Sequence, residues 1–283
     1  MKDAASHTET LIAPSGIEEE KSTCISSLFS FYQLSVWVTP SLKSVCVCLD
    51  TLGRQELHQT LLLEIESFLE WAMAHPEIKT LVFRKQFPNK SLEFCQESAL
   101  EFEGEYFATL RRLFYTLLSL EQMVLMDLGT HNANYGLEFF LTGDILFIPS
   151  NGSYSLNFFE KGLVPLLSPL YSTLGPLLEK EEIRATTLKK IFNSLTFYNT
   201  KNGPTQTELY GDLLPWIRKW NSLSHLSFLG YKKMKRLAQK NFLDKAMASF
   251  QDFQEWINPP FSFRSLKQYY LDKSSSQNKA PKS

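Results

Sequence analysis

Glu138 lies in an apolar stretch, between Leu137 and the pair Phe139 and Phe140, of a chain of 283 residues. Such neighbours favour at least partial burial of its carboxyl group. Burial without a compensating partner raises the pKa of a carboxyl and suits it to general acid–base catalysis. The alternative is a solvated or capping glutamate on a helix in an acidic part of the chain. His131, in the turn just before, is a second possible base, but a loop histidine usually serves neither catalysis nor ligand binding.

The four cysteines indicate neither a disulfide framework nor a metal centre. Four cysteines in a chain of this length are too few for a disulfide-stapled scaffold. Cys46 and Cys48 alternate within an apolar run, so on a strand both side chains point to one face, as core residues do. Neither a second cysteine pair nor a nearby histidine completes a zinc site around them. We therefore predict no metal and no tightly bound cofactor.

Hydrophobic periodicity predicts the elements that position these side chains. Strands are predicted over 32–39, 44–49, 80–83, 123–126, 144–148 and 153–156, and helices over 56–74, 107–120 and 134–141. Short buried strands that alternate with helices are typical of crossover connections in an α/β fold. Beyond Pro165 we predict no further strand and a helical stretch over 166–195.

Composition divides the chain into four parts. We predict a flexible leader over 1–28, a core over 29–198, a helical C-terminal region over 208–272 and a disordered tail over 273–283, with a linker over 200–207. Lysine and arginine number 29 against 30 aspartates and glutamates, so nothing favours nucleic acid or an anionic membrane as a partner. The first 22 residues lack the apolar segment of a secretory signal, and no apolar run is long enough to span a membrane. We therefore expect a cytoplasmic protein.

Four segments between residues 31 and 165 carry motifs in a characteristic order. Ser44–Phe83 runs strand, helix, strand, with His-Pro-Glu-Ile before the last strand. Phe94–Leu100 reads Phe-Cys-Gln-Glu-Ser-Ala-Leu, Gly129–Ile145 runs from a turn through a helix into a strand, and Gly162–Pro165 reads Gly-Leu-Val-Pro. In order and spacing these segments resemble the crotonase family of enoyl-CoA hydratases and isomerases. The resemblance implies an α/β fold built as a spiral of repeated ββα units, followed by a helical C-terminal region.

The resemblance also implies a site for a coenzyme A thioester, as substrate or ligand rather than as a resident cofactor. In that family two backbone N–H groups stabilise the negative charge that develops on the thioester oxygen. The matching positions here are the amides of Gln96 and Tyr135. Glu97 replaces a glycine of the family motif, and we expect it to bring an unfavourable negative charge close to that oxygen. The side chain of Tyr135 adds bulk at the second donor.

The two acid–base carboxylates of the family fall on Glu138 and Phe158. Hydration of a double bond needs one group to activate water and another to protonate carbon. Because phenylalanine transfers no proton, two-glutamate hydratase chemistry is expected to be lost, leaving at most a one-carboxylate reaction such as isomerisation. Arg54, placed toward the CoA phosphates, Gly136 and Phe158 are the expected substrate-binding residues.

Two functions remain open on this sequence. The chain either binds an acyl-CoA, with altered or weakened catalysis, or keeps the fold as a non-catalytic structural or regulatory partner. The joint presence of Glu138 and Gly136 favours the first. For both, the resemblance implies a homo-oligomer, either a trimer or a dimer of trimers.

Overall fold

The computed structural model describes residues 22–49, 56–86, 90–158, 183–191, 196–200, 210–224, 227 and 230. Numbered in chain order, the strands are β1 (Thr23–Cys24), β2 (Leu34–Thr39), β3 (Ser44–Leu49), β4 (Glu56–Leu57), β5 (Thr80–Lys85), β6 (Glu93–Phe94), β7 (Met123–Asp127), β8 (His131–Ala133), β9 (Ile145–Pro149), β10 (Ser153–Ser155), β11 (Ile183–Arg184) and β12 (Thr196–Thr200). The α-helices with described bounds are α1 (Ser26–Phe29), α2 (Gln59–Met73), α3 (Gln96–Glu101), α4 (Glu103–Ser119), α5 (Asn134–Leu141), α6 (Ala185–Ile191) and α7 (Leu214–Asn221).

Seven strands form the main sheet, in the order β1-β2-β3-β5-β7-β9-β12. The first three pair antiparallel, and from β3 onward each strand runs parallel to its neighbour. Two small sheets accompany it, one of β4 and β6 and one of β8, β10 and β11. Parallel strands that are joined through helices bring their carboxyl ends to one edge of a sheet, and ligand sites of α/β proteins lie at that edge.

The main sheet is covered on both faces, which explains why its central strands are apolar at nearly every position. On one face Val47 and Phe83 belong to the principal core, together with the buried sides of α2, α4 and α5. On the other face Cys46 belongs to a second core that includes Tyr210 and Ile217. Alternation along each strand therefore sends successive side chains into two different cores.

Polar contacts tie the segment 210–224 to the second face of the sheet. The hydroxyl of Tyr210 lies 2.8 Å from Thr39 Oγ1 and accepts a hydrogen bond from Ser44 Oγ at 3.0 Å. Thr80 Oγ1 donates to Asn221 Oδ1 at 3.2 Å. This part of the predicted C-terminal region is therefore packed on the sheet, not separate from it.

The structure confirms the α/β fold and the order of predicted elements up to residue 155. The strand over 44–49 and the helix over 134–141 have the bounds that the sequence predicts. The expectation that strands stop after Pro165 is wrong, because β11 pairs with β10 and β12 pairs with β9. β11 is too short to show a strand pattern, and the strand-forming residues of β12 were overlooked because they adjoin the predicted linker.

Domain boundaries are only partly described. Residues 23–28, which the sequence assigns to the leader, include β1 and most of α1, and β1 pairs with β2. The predicted core boundary at 198 falls inside β12. The remainder of the predicted linker, residues 201–207, and the predicted tail lie outside the described residues.

Replacing Tyr210 with phenylalanine tests the packing of 210–224 on the sheet. The substitution removes the hydroxyl that contacts Thr39 and Ser44 in a buried place. We expect Tyr210→Phe to lower the free energy of unfolding by about 1–2 kcal/mol in urea titrations. Tyr32→Phe is the control, since Tyr32 is 76% exposed. Equal stability of the two variants would contradict this placement.

Candidate functional site

The amides of Gln96 and Tyr135 both lie in the first turn of a helix. Gln96 is the first residue of α3, which follows β6, and Tyr135 is the second residue of α5, which follows β8 directly. First-turn N–H groups have no acceptor inside their own helix. The structure therefore places both predicted donors at helix starts, and their use by a ligand stays a prediction.

The first turn of α5 packs directly on the segment that leads to α3. The amide of Ala133 donates to the carbonyl oxygen of Leu92 at 3.2 Å. A Cβ atom on Gly136 would collide with that same carbonyl group. The rings of Phe94 and Tyr135 also meet, with centroids 5.6 Å apart. These contacts bring the two predicted donor segments together.

Gly136 has a packing role that the sequence did not predict. Its missing side chain makes room for the backbone of Leu92. Direct contact between Gly136 and a ligand stays a prediction.

Asn134 adopts a backbone conformation that is usually found at glycine. It begins α5 with φ of 47°, in the left-handed region, where asparagine is among the few tolerated non-glycine residues. Its side chain is fully buried, and Nδ2 donates to Asn157 Oδ1 at 2.8 Å. The turn before Tyr135 therefore has an unusual backbone shape without a glycine at that position.

Three aromatic rings contact the ring of Tyr135, and a fourth, Tyr106, contacts two of them. We call these five residues the aromatic cluster: Phe94, Tyr106, Phe107, Tyr135 and Phe158. The rings of Tyr135 and Phe158 are closest, with centroids 5.2 Å apart. Phe158 is fully buried. The position predicted for a second carboxylate thus belongs to an apolar wall beside the second donor.

Glu138 is fully buried, one turn beyond Asn134 on α5. Its neighbours Leu137, Phe139 and Phe140 are buried as well, which confirms the burial expected from the sequence. Its catalytic role stays a prediction. Arg54, the predicted phosphate contact, lies outside the described residues.

The effect of Glu97 on a thioester oxygen stays a prediction. Glu97 is exposed in the first turn of α3, where a carboxylate interacts favourably with the helix dipole. Cys95 caps the same helix, because its Sγ accepts a hydrogen bond from the amide of Ser98 at 3.4 Å. Burial raises the pKa of the Cys95 thiol, so it is a neutral cap and not a thiolate.

A buried lysine lies behind this site, and the sequence reasoning missed it. Lys85 ends β5, and its Nζ donates to the carbonyl oxygens of Lys90 and His131, both at 2.6 Å. It also donates to Asn132 Oδ1 at 3.2 Å. The side chain of His131 is itself exposed. A lysine after a predicted strand resembles an ordinary solvated charge, so no local signal reveals its burial.

The described part of the chain contains neither a metal-binding cluster nor a membrane-spanning helix. There, no three histidine, cysteine, aspartate or glutamate side chains gather where they could hold a metal ion. No described helix combines the length and apolar character needed to cross a bilayer.

Comparisons with known proteins identify the fold through structure alone. No family model and no curated protein matches the sequence. An enoyl-CoA hydratase from Mycobacterium avium subsp. paratuberculosis matches with a TM-score of 0.64 and 18% identity, over 85% of this chain and 96% of that one. An enoyl-CoA hydratase/isomerase from Pseudoalteromonas atlantica matches with a TM-score of 0.68 and 13% identity, over 88% and 99%. An enoyl-CoA hydratase from Bacillus halodurans gives 0.67 and 12%, over 84% and 98%. The chain therefore has the crotonase fold, as the resemblance of its motifs predicts.

Substitution of Gly136 tests the contact between α5 and Leu92. We expect Gly136→Ala to lower the free energy of unfolding by about 2–3 kcal/mol or more, because a rigid backbone group must move to admit the methyl group. Gly230→Ala is the matched control, since a Cβ there meets nothing within 4 Å. Urea denaturation of both variants provides the measurement. A Gly136→Ala protein as stable as the control would show that this contact is wrong.

A pair of substitutions at Asn134 tests its backbone conformation. Asn134→Ala and Asn134→Gly both remove the side-chain bond to Asn157, so their difference isolates the effect of φ. We expect the alanine variant to be less stable than the glycine variant by about 1–2 kcal/mol. Thermal unfolding followed by circular dichroism measures this difference, and identical melting curves would refute it.

Proposed function

We propose that this chain binds an acyl-CoA thioester and that the backbone amides of Gln96 and Tyr135 receive the thioester oxygen. The observation that carries the proposal is the direct packing of the first turn of α5 on the Leu92 segment. This packing brings together two helix starts, each with an N–H group that its own helix does not use. The solved structures of similar fold include enoyl-CoA hydratases, which supports this ligand class.

Two preorganised N–H groups stabilise the enolate-like charge that develops on a thioester oxygen when a proton leaves the neighbouring carbon. Such donors act through the backbone and tolerate a change of side chain. The retained left-handed conformation of Asn134 supports their preservation here. Glu138 is the carboxyl group proposed to move the proton.

The same geometry argues against hydration. Adding water across a double bond needs a second acid–base group, and the matching position holds Phe158 in contact with Tyr135. The aromatic cluster is apolar and, apart from the half-buried Phe107, almost completely buried, and it holds no acid of ordinary strength. The proposed chemistry is therefore limited to a one-carboxylate reaction, such as moving a double bond within an enoyl-CoA.

One observation favours a second candidate, a non-catalytic structural or regulatory protein. Tyr135 and Phe158 are almost completely buried against each other, so their rings occupy space beside the second donor. A chain that filled its ligand site in this way would keep the fold for its surfaces. Under either proposal the protein is cytoplasmic. We also propose that it assembles as a trimer or a dimer of trimers, and light scattering would test this assembly.

Calorimetric titration with coenzyme A and with a medium-chain acyl-CoA separates the two candidates. We expect saturable binding that strengthens when the acyl chain is added, because the thioester and the chain would occupy the donors and the aromatic cluster. Absence of binding at about 1 mM, which corresponds to about −4 kcal/mol, would overturn the acyl-CoA proposal. The non-catalytic candidate would then stand.

Replacing Glu138 with glutamine tests its role as the proton carrier. We expect Glu138→Gln to lower double-bond isomerisation of an enoyl-CoA by about a hundredfold or more, with nearly the same melting temperature because the two side chains have similar shapes. Glu97→Gln is the control, since Glu97 is exposed on α3. Turnover that survives in Glu138→Gln would remove Glu138 from the mechanism.

A further inference from the structure

Lys85 occupies a position that is costly for a cation. Its side chain is almost entirely buried at the end of β5, and Nζ lies 5.9 Å from the ring centroid of Phe140 on α5. Burial of an ammonium is tolerated only when acceptors replace the lost water. Here three acceptors match the three N–H bonds of the charged group: Lys90 O, His131 O and Asn132 Oδ1.

These acceptors come from two separate segments of the chain. Lys90 precedes β6 and α3, the helix that begins with Gln96. His131 and Asn132 belong to β8, which runs directly into α5 and Tyr135. One ammonium therefore bonds to both of the segments that carry the proposed donors.

Asn132 strengthens the same connection. Its Oδ1 accepts a second hydrogen bond, from the amide of Leu92 at 3.3 Å, and its Nδ2 donates to Leu128 O at 2.5 Å. Leu92 in turn accepts from Ala133. The two segments are therefore joined by a continuous set of hydrogen bonds that involves Lys85, Asn132 and Leu92.

We propose that Lys85 is a positioning residue whose ammonium joins the segment before Gln96 to the strand before Tyr135 and so sets the separation of the two backbone donors. The use of those donors by a thioester rests on the function proposed above. The connection between the two segments is a property of this chain and is testable without a ligand.

The connection depends on the protonation state of Lys85. A charged amine donates three hydrogen bonds and a neutral amine at most two. Burial lowers the pKa of Lys85 to about 7, and the negative charge of Asp127 opposes this shift. Among the described residues, Asp127 is the charged side chain whose electrostatic interaction affects the pKa of Lys85. Lys90 and His131 contact the ammonium through their carbonyl oxygens, and α5 contributes the ring of Phe140. Raising the pH through about 7 should therefore weaken the connection.

Hydrogen exchange read by mass spectrometry tests the connection directly. We expect Lys85→Met to accelerate amide exchange by about tenfold or more in peptides that cover 90–96 and 131–136. Lys79→Met is the matched control, because it removes another lysine-to-carbonyl bond, from Lys79 Nζ to Leu223 O, that touches neither segment. Unchanged exchange in both segments of Lys85→Met would overturn the proposal.

The wild-type protein provides the same test if Lys85→Met does not fold. Between about pH 6 and about pH 8.5, across the titration of a lysine whose pKa is so lowered, exchange in both segments should rise together beyond the intrinsic effect of pH. The midpoint should lie near 7. Rates that follow the intrinsic pH effect alone would also overturn the proposal.

Binding distinguishes a positioning role from a merely structural one. We expect Lys85→Met to weaken acyl-CoA binding by about tenfold and to leave the binding of coenzyme A without an acyl group unchanged, because only the thioester uses the two donors. Equal acyl-CoA affinity in the wild type and the variant would refute the positioning role. If the wild type binds no acyl-CoA while exchange still responds, the proposed function fails and the connection made by Lys85 stands.

Discussion

The contact between Gly136 and the carbonyl group of Leu92 is the constraint on which the candidate site depends. No side chain fits at position 136 between α5 and this segment, so at that point the helix packs directly on backbone. That close approach allows the bond from Ala133 to Leu92, and it brings the start of α5 beside the segment that leads to α3. The spatial relation of Gln96 to Tyr135 follows from one missing methyl group, because a larger residue would push the two elements apart.

The polar groups of this region are concentrated at the carboxyl ends of β5 and β7, although the main sheet around them is apolar. Lys85, Asp127 and Asn132 are all buried there. Desolvation of such groups costs free energy, and a chain selected only for stability could replace them with apolar side chains. Their hydrogen bonds hold specific backbone segments in place, as Lys85 does for Lys90 and His131. Buried polar residues of this kind fix the positions of the backbone segments that they bond, at the expense of some hydrophobic burial.

The sequence predicts most of the framework and little of this network. The strand over 44–49 is a short apolar run buried on both faces, and the helix over 134–141 is buried at every position, so both are apolar enough to be recognised in the sequence. β11 has only two residues and so shows no strand pattern. β12 (Thr196–Thr200) contains strand-forming Thr, Phe and Tyr, a signal that the prediction overlooked, and both strands pair with partners distant in sequence. The sequence does not reveal the burial of Lys85 either, because its acceptors lie up to 47 residues away along the chain and only the fold brings them close.

Backbone donors and side-chain acids respond differently to sequence change. This difference explains how the candidate site can combine two predicted backbone donors with only one of the two expected carboxylates. An amide of Gln96 or Tyr135 remains a donor whatever its side chain, provided that the turn keeps its shape, and Asn134 keeps an unusual shape with φ of 47°. A carboxylate has no such tolerance, and Phe158 packed on Tyr135 cannot replace one. Under the proposed function, the phenylalanine at this position excludes water addition and leaves the two backbone donors in place. The expected result is a site that still stabilises charge on an oxygen while its only proposed proton carrier, Glu138, is held in the core.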